Sequence, residues 1–210
     1  RYADDLIVLV GSELSAERVM ESLTTFIENR MRLKINKEKS RMIRPKELNF
    51  LGHSILRSGD LGLSKESERR FKRKLRQLTR RNRGISFEQM IKELNPVLRG
   101  WLNYFKFAKM RGRLRHLEAW LRRKLRCYRL KQCKRALTIA RFLTKQGVPW
   151  NRSWTTAGSS KGWFRLSLTN AAHEGMNLKW FKKTGLYSLT AHYGSPLRKP
   201  PNTRDVRWVV

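Results

Sequence analysis

The sequence predicts an α+β fold in three parts: a mixed region of strands and a helix, a helical bundle, and a small basic C-terminal segment. The predicted boundaries are residues 1–63, 64–146 and 147–210. Residues 1–63 mix alternating and helical apolar periods, and residues 64–146 carry helical stripes with capping residues. Residues 147–210 have irregularly spaced aromatic residues. The basic residues concentrate in the middle part, where 27 Lys and Arg accompany 5 Asp and Glu.

In the first part the predicted order of elements is strand, helix, strand, strand. Leu6–Val10 is a short apolar run followed by Gly and Ser, which is typical of a buried strand. Glu13–Arg32 repeats apolar residues with a helical period, which predicts an amphipathic helix. Leu33–Asn36 alternates like a half-buried strand, and Phe50–Leu56 predicts a further strand that leads into a turn at residues 58–60.

Four helices are predicted in the middle part. Ser64 is a candidate N-cap of the first helix, which ends before Gly84. Ser86 begins the second helix with a glutamine three residues later, as in a capping box. Asn95 and Pro96 are predicted as the N-cap and first-turn proline of the third. The fourth helix carries an apolar stripe of Leu114, Leu117, Leu121, Leu125 and Tyr128.

The last part is less regular. A short helix is predicted over Asn170–Lys183 and an extended tail over Pro196–Val210. The aromatic pairs at residues 163–164 and 180–181 could stack on bases, but irregular spacing is more typical of the core of a small domain. We therefore expect these pairs to form core.

The charge balance indicates an anionic partner. The 210 residues contain 48 Lys and Arg and 16 Asp and Glu, a formal charge of +32, which favours nucleic acid or an anionic membrane surface. No apolar run approaches the roughly 18 residues of a membrane-spanning helix, so no membrane span is predicted, and the expected partner is nucleic acid and not a membrane. Cys127 and Cys133 lack the spacing of a disulfide framework or a zinc site, which predicts reduced thiols and a reducing compartment.

The most specific motif is Tyr2-Ala3-Asp4-Asp5, directly before the apolar run. Adjacent carboxylates oppose each other's ionisation unless a cation neutralises them. Magnesium meets that need, because it prefers oxygen ligands and is commonly held by one or two carboxylates together with substrate phosphates. Asp4 and Asp5 are therefore candidate metal ligands.

This tetrapeptide resembles the catalytic turn of reverse transcriptases. Residues 33–40 resemble the motif that follows it, in which a lysine matching Lys39 is a candidate proton donor to pyrophosphate. Phe50, Leu51 and Gly52 are similar to the primer-grip strand. Residues 94–105 resemble the thumb of group II intron reverse transcriptases and maturases, and the resemblance covers residues 1 to about 145.

The resemblance implies the end of a reverse-transcriptase palm, a thumb or maturase domain, and a segment similar to a DNA-binding segment. It implies RNA-directed DNA polymerisation with two Mg²⁺ ions, and places Tyr2, Ala3 and the primer-grip residues near primer and nucleotide. The implied partners are intron RNA, a DNA target, an RNA template with its primer, and deoxynucleotides, in a bacterial cytoplasm or an organelle.

Complete members of the family have another palm aspartate. Neither Asp60 nor Asp205 is placed to replace it, so these 210 residues are expected to hold an incomplete two-metal site and to be inactive alone. Two functions remain open: a reverse transcriptase and maturase that assists splicing, or a non-catalytic RNA-binding splicing cofactor with a relic catalytic turn.

A second signal is the basic middle part, where acidic residues at i,i+4 spacing are too few to neutralise the arginines. Contact with phosphates would account for this excess. Arg122, Arg126 and Arg129 are expected on an outward helix face beside the leucine stripe. The candidate nucleic-acid-binding residues are Arg69, Arg73, Arg76, Arg80, Arg111, Arg113, Arg115, Arg122, Arg123, Lys124, Arg126, Arg129 and Lys131.

Overall fold

The computed structural model describes residues 6–36, 40, 42–44, 48–56 and 60–194. These residues fall into two compact units that divide between Leu48 and Asn49. The described part is mostly helical with one small antiparallel sheet, which confirms the α+β class. The predicted tail over Pro196–Val210 lies outside the described residues.

The first unit contains one amphipathic helix. Helix α1, Glu13–Thr25, begins at Ser12, whose hydroxyl accepts a hydrogen bond from the Ser15 amide at 3.2 Å. A π-helical turn, Phe26–Arg30, continues it, so the helix predicted over Glu13–Arg32 is confirmed with an altered end. Among the described residues of this unit, none is buried.

Two predicted strands of the first unit are wrong. Leu6–Val10 and Leu33–Asn36 are irregular, and Leu6 and Leu33 are 49% and 55% exposed. The physical reason is pairing: a strand needs a neighbour for its backbone N–H and C=O groups, and the described residues of this unit include no strand to provide one. An apolar run indicates a tendency to be buried, but it does not show whether a neighbouring strand is present to pair with it.

The second unit opens with a three-stranded antiparallel sheet in the order β1-β2-β3: β1 Asn49–Phe50, β2 His53–Ile55 and β3 Leu61–Leu63. The single strand predicted over Phe50–Leu56 is therefore wrong, because the chain reverses at Leu51 and Gly52. Both residues have positive φ, 49° and 78°, as a two-residue hairpin of type I′ requires. Leucine at the first of these positions is not a typical turn residue, so the sequence did not predict the hairpin.

Nine helices follow among the described residues. The predicted N-caps are confirmed: the Ser64 hydroxyl accepts from the Ser67 amide at 3.1 Å, and the Ser86 hydroxyl from the Gln89 amide at 3.0 Å. The helices are α2 Lys65–Leu78, α3 Phe87–Tyr104, α4 Arg111–Gln132, α5 Ala136–Lys145, α6 Trp150–Ala157, α7 Trp163–Leu166, α8 Asn170–Gly175, α9 Leu178–Lys183 and α10 Leu189–His192.

The helix boundary predicted at Asn95 and Pro96 is wrong, because α3 runs through both residues. The Asn95 side chain makes tertiary bonds instead of a cap: its amide nitrogen donates to the Gly185 carbonyl at 2.8 Å, and its oxygen accepts from the Tyr187 amide at 2.9 Å. The helix continues past the proline because Leu94, Leu98 and Leu102 form one fully packed stripe across it.

One hydrophobic core joins α2 to α10, with the predicted α4 stripe of four leucines and Tyr128 buried in it. The helix predicted over Asn170–Lys183 is two helices, because the Asn177 side chain accepts from the Trp180 amide at 3.0 Å and caps α9. Cys127 and Cys133 are free and buried, and burial raises the pKa of both thiols. In the described part of the chain, every helix is too short or too polar to cross a membrane.

Candidate nucleic-acid interface

The motif residues Tyr2, Ala3, Asp4, Asp5 and Lys39 lie outside the described residues. Among the residues that are described, no three His, Cys, Asp or Glu side chains come together as a metal site.

The turn at Leu51 and Gly52, by contrast, is held firmly by α2 and α3. The Tyr104 hydroxyl donates to the Leu51 carbonyl at 3.0 Å, and the Gly52 carbonyl accepts from the Ser64 amide at 3.0 Å. A Cβ atom on Gly52 would collide with the Ser67 hydroxyl. Positive φ and this close approach together require glycine. The segment that resembles a primer grip is thus part of the helical unit.

An exposed cationic row runs along α2 and past its end. Arg69, Arg73 and Arg76 lie on the helix at i, i+4 and i+7, Arg80 follows two residues after the helix ends at Leu78, and all four are exposed. The acidic residues of the helix are already engaged elsewhere: Glu66 pairs with Arg70 at 2.8 Å and Glu68 with Lys72 at 2.6 Å.

Within the described chain no carboxylate pairs with the four arginines of this row. Arg76 lies over the Trp120 ring, 5.6 Å from its centre, which orients it without neutralising it. We call Arg69, Arg73, Arg76 and Arg80 the α2 arginine row.

The start of α4 carries three exposed arginines with different surroundings. Arg113 donates to the Leu63 carbonyl and lies 4.0 Å from Glu68, so it links α4 to the sheet and to α2. Arg111 lines an open depression together with Lys109 and Tyr193. Arg115 is exposed and has no ion pair with any described residue.

The second half of α4 differs from the prediction. Arg126 is only 6% exposed, and its Nε donates to the Met176 carbonyl at 3.1 Å. Arg122 is half-buried and pairs with the buried Glu118 at 3.4 Å, and Arg129 is half-buried beside the Phe142 ring. The outward face expected for Arg122, Arg126 and Arg129 is therefore wrong, because the C-terminal helices cover it.

Aromatic side chains of α5, α7 and α9 pack on these arginines. The guanidinium of Arg123 lies 3.5 Å from the centre of the Phe164 ring, Arg126 lies 5.5 Å from Phe181, and Arg129 lies 4.7 Å from Phe142. The positive charge of the α4 arginines thus binds the negative faces of aromatic rings within the molecule. A run of arginines that resembled a phosphate-binding face is largely an internal packing surface.

The pKa shifts in this region result first from burial and second from the crowding of like charges. Burial, reinforced by repulsion from Arg122, lowers the pKa of Arg126 to about 10, so the side chain remains charged at neutral pH. Burial, followed by the charges of Arg126, Arg122 and Arg123, also lowers the pKa of His173. Among the remaining candidates, Lys124 is half-buried, and Lys131 donates to the Arg81 carbonyl at 3.1 Å.

The core role expected for the C-terminal aromatic pairs is confirmed in part. Phe181 is buried, and Trp163 and Trp180 pack against the core. Phe164 is 49% exposed while it covers Arg123. Sequence reasoning overlooked Trp150 and Trp154, which lie exposed on α6 at i, i+4 spacing. The i, i+4 spacing of the two tryptophans was the sequence signal that could have identified this exposed pair.

Two family models match successive parts of the chain. The model for the reverse transcriptase (RNA-dependent DNA polymerase) matches residues 1–55, and the model for the group II intron maturase-specific domain matches residues 68–147. Together these matches support a group II intron reverse transcriptase and maturase. No curated protein matches it. The α2 arginine row and helix α4 both lie within the part that matches the maturase-specific domain.

Proposed function

We propose that this chain binds group II intron RNA through the α2 arginine row and so assists splicing. The observation that carries the proposal is a row of exposed, unpaired arginines inside the region that matches the maturase-specific domain. From Arg69 to Arg76 the helix rises about 10 Å, and Arg80 extends the row past the helix end. Over that length a nucleic-acid strand presents several phosphates. Arginine suits this contact because its guanidinium binds phosphate oxygens in a bidentate manner.

The α2 arginine row is favoured over the arginines of α4 for a physical reason. The guanidinium groups of Arg123, Arg126 and Arg129 already contact aromatic rings, and Arg126 is almost fully buried. Withdrawing such a group to bind phosphate would break packing inside the protein. Of the α4 candidates, Arg111 and Arg115 are exposed and can supplement the α2 row.

We further propose that the chain contributes the end of a reverse-transcriptase palm at residues 1–63, a thumb at residues 64–146 and a basic segment at residues 147–210. In the complete protein Asp4 and Asp5 would hold Mg²⁺, which would stabilise charge on the transferred phosphoryl group. Lys39 would serve as proton donor to pyrophosphate, and Phe50–Gly52 would contact the primer. RNA template, deoxynucleotides and a DNA target are the corresponding partners.

The test measures RNA affinity as a function of salt. Replacing Arg69, Arg73 and Arg80 with Gln removes three phosphate contacts and no core side chain, so the fold should persist. The plot of log K against log salt should flatten by about two to three units, since each contact contributes about 0.7 to 0.9. Structured RNAs unrelated to the intron should lose affinity to a similar extent, because phosphate contacts carry little sequence information.

Two control variants accompany the triple substitution. Replacing the exposed Lys92, Lys134 and Lys145 with Gln removes the same charge from other elements and should change the slope by less than one unit. Asp4→Ala should leave RNA binding intact, and in the complete protein it should abolish DNA synthesis. Equal slopes for the two triple variants would contradict the role of the α2 row. DNA synthesis that survives Asp4→Ala would contradict the metal role of Asp4, and a complete protein that makes no DNA before any substitution would favour the non-catalytic splicing cofactor.

A further inference from the structure

Helix α6 presents a stacked pair of tryptophans to solvent. The rings of Trp150 and Trp154 lie nearly parallel, at an interplanar angle of 19°, with their centres 5.8 Å apart. The two residues are 49% and 46% exposed. A tryptophan side chain offers a large apolar surface, so leaving half of two such residues in water is unfavourable without a ligand.

Packing of α6 does not explain the exposed pair. The residues that α6 buries are Ser153 and Ala157, which let it approach α5 and α8 closely. The Ser153 hydroxyl donates to the Val148 carbonyl and so fixes the start of the helix. The two tryptophans lie beside this buried face, where they hold each other in a fixed orientation.

The segment that contains α6, residues 147–194, is strongly positive. Residues 147–194 contain six basic residues and one acidic residue, Glu174. Glu174 pairs with Arg152 at 2.8 Å, which leaves five cations that are exposed and lack an ion pair with any described residue. These are Lys161, Arg165, Lys179, Lys182 and Lys183.

We propose that Trp150 and Trp154 form a stacking platform for unpaired bases of a nucleic-acid strand, whose phosphates the exposed cations of residues 147–194 neutralise. Exposed aromatic rings on a positively charged segment are the combination that binds single strands. A duplex fits less well, because its bases are already stacked on both faces. A protein partner fits less well, because the only acidic residue available here to complement its cations is already paired.

This platform is separate from the α2 arginine row and does not depend on it. The shared chemistry is an unpaired base joined to a phosphate, which either RNA or DNA can supply. The 2′-hydroxyl is the group that distinguishes the two, so both strands are included in the test. The platform therefore adds a base-dependent contact to a protein whose other proposed contacts are with phosphates.

The experiment uses fluorescence anisotropy with the full chain and four labelled oligomers of about 12 nucleotides. They are single-stranded DNA, single-stranded RNA of the same sequence, an abasic DNA strand with the same number of phosphates, and a blunt duplex. The wild-type chain should bind the single strands at least about tenfold more tightly than the abasic strand. This comparison requires no variant and is unaffected by any folding defect.

Variants then locate the effect. Trp150→Leu combined with Trp154→Leu keeps apolar volume but removes both ring faces, and should abolish the tenfold preference while the salt slope stays unchanged. Leu178→Ala, at an exposed aliphatic residue of the same segment, should leave the preference intact. The triple variant of the α2 arginine row should lower the salt slope and retain the preference, so the two proposals fail separately.

Two results would overturn the platform. One is equal wild-type affinity for the abasic and base-containing strands. The other is a folded double leucine variant that keeps the preference, which is also the result expected if the pair binds a protein. If the double leucine variant loses the preference over the abasic strand for only one of the two single strands, RNA or DNA, the result supports the platform. It also identifies which strand the platform binds.

Discussion

At the scale of single residues, the arginines of α4 show that charge does not determine exposure. Arg115 and Arg126 lie on the same helix about three turns apart, and the local sequence pattern does not distinguish them. Arg126 is nevertheless buried and Arg115 is exposed. The difference arises from what covers each position: Met176 and Phe181 approach Arg126 from the C-terminal helices. These contacts join residues about fifty positions apart, and a local pattern does not contain them.

Arg126 provides a test of this packing role. Arg126→Ala should lower the free energy of unfolding by about 2–4 kcal/mol, because a buried side chain is removed and a cavity remains. Arg126→Met should stay within about 1.5 kcal/mol of wild type, since it keeps most of the volume and removes the cost of burying a charge. Urea denaturation followed by circular dichroism measures both values.

Arg115→Ala is the matched control, because it removes an exposed arginine of the same helix. It should change stability by no more than about 0.5 kcal/mol. If Arg126→Ala instead kept full stability and lost RNA affinity, the side chain would face nucleic acid, and the packing role assigned to it would be wrong.

At the scale of elements, the accuracy of the sequence predictions follows the range of the interactions involved. The caps at Ser64 and Ser86 were predictable because a hydroxyl and the amide three residues later are neighbours in sequence. The strands over Leu6–Val10 and Leu33–Asn36 were not, because pairing depends on a distant partner. The catalytic role of Asp4 and Asp5 stays a prediction from the motif, because both lie outside the described residues.

At Asn95, tertiary hydrogen bonds outweigh a local sequence signal for a helix start. An Asn-Pro pair favours a helix start, but a tertiary partner at Gly185 and Tyr187 uses the same amide group. Asn95→Ala should lower the free energy of unfolding by about 1–3 kcal/mol, because it leaves two backbone groups without their partner. Chemical denaturation checks the value.

Asn103→Ala, at an exposed position of the same helix α3, is the control and should have an effect within about 0.5 kcal/mol. Equal effects of the two substitutions would mean that the bonds of Asn95 add nothing to stability. The helix would then be held across Pro96 by its leucine stripe alone.

At the scale of the whole molecule, the dominant property is the excess of positive charge. The formal charge of +32 means that the 16 acidic residues can neutralise only a minority of the 48 basic ones. Without nucleic acid, the folded chain repels itself more strongly than the expanded unfolded chain does. Raising the ionic strength is therefore expected to stabilise the free fold and to weaken RNA binding.

Raising the NaCl concentration in the absence of RNA should raise the melting temperature, because salt screens this repulsion. A gain of about 1 kcal/mol would correspond to about 2–4 °C for a chain of this size. With RNA bound, the same salt should lower the melting temperature, since it weakens the complex that stabilises the fold. Differential scanning fluorimetry with and without RNA measures both trends. A melting temperature that falls with salt in both samples would contradict self-repulsion.

The Leu51–Gly52 hairpin bears on how segments can be exchanged between related proteins. The two family matches end and begin at residues 55 and 68, which invites a junction between them. A crossover there would separate β2 from β3 or from the Ser64 cap, and would place foreign residues against Tyr104. A crossover between Leu48 and Asn49 transfers the sheet, the hairpin and the helices as one inherited block. A hybrid protein should therefore be joined between Leu48 and Asn49, and not at the ends of the two family matches.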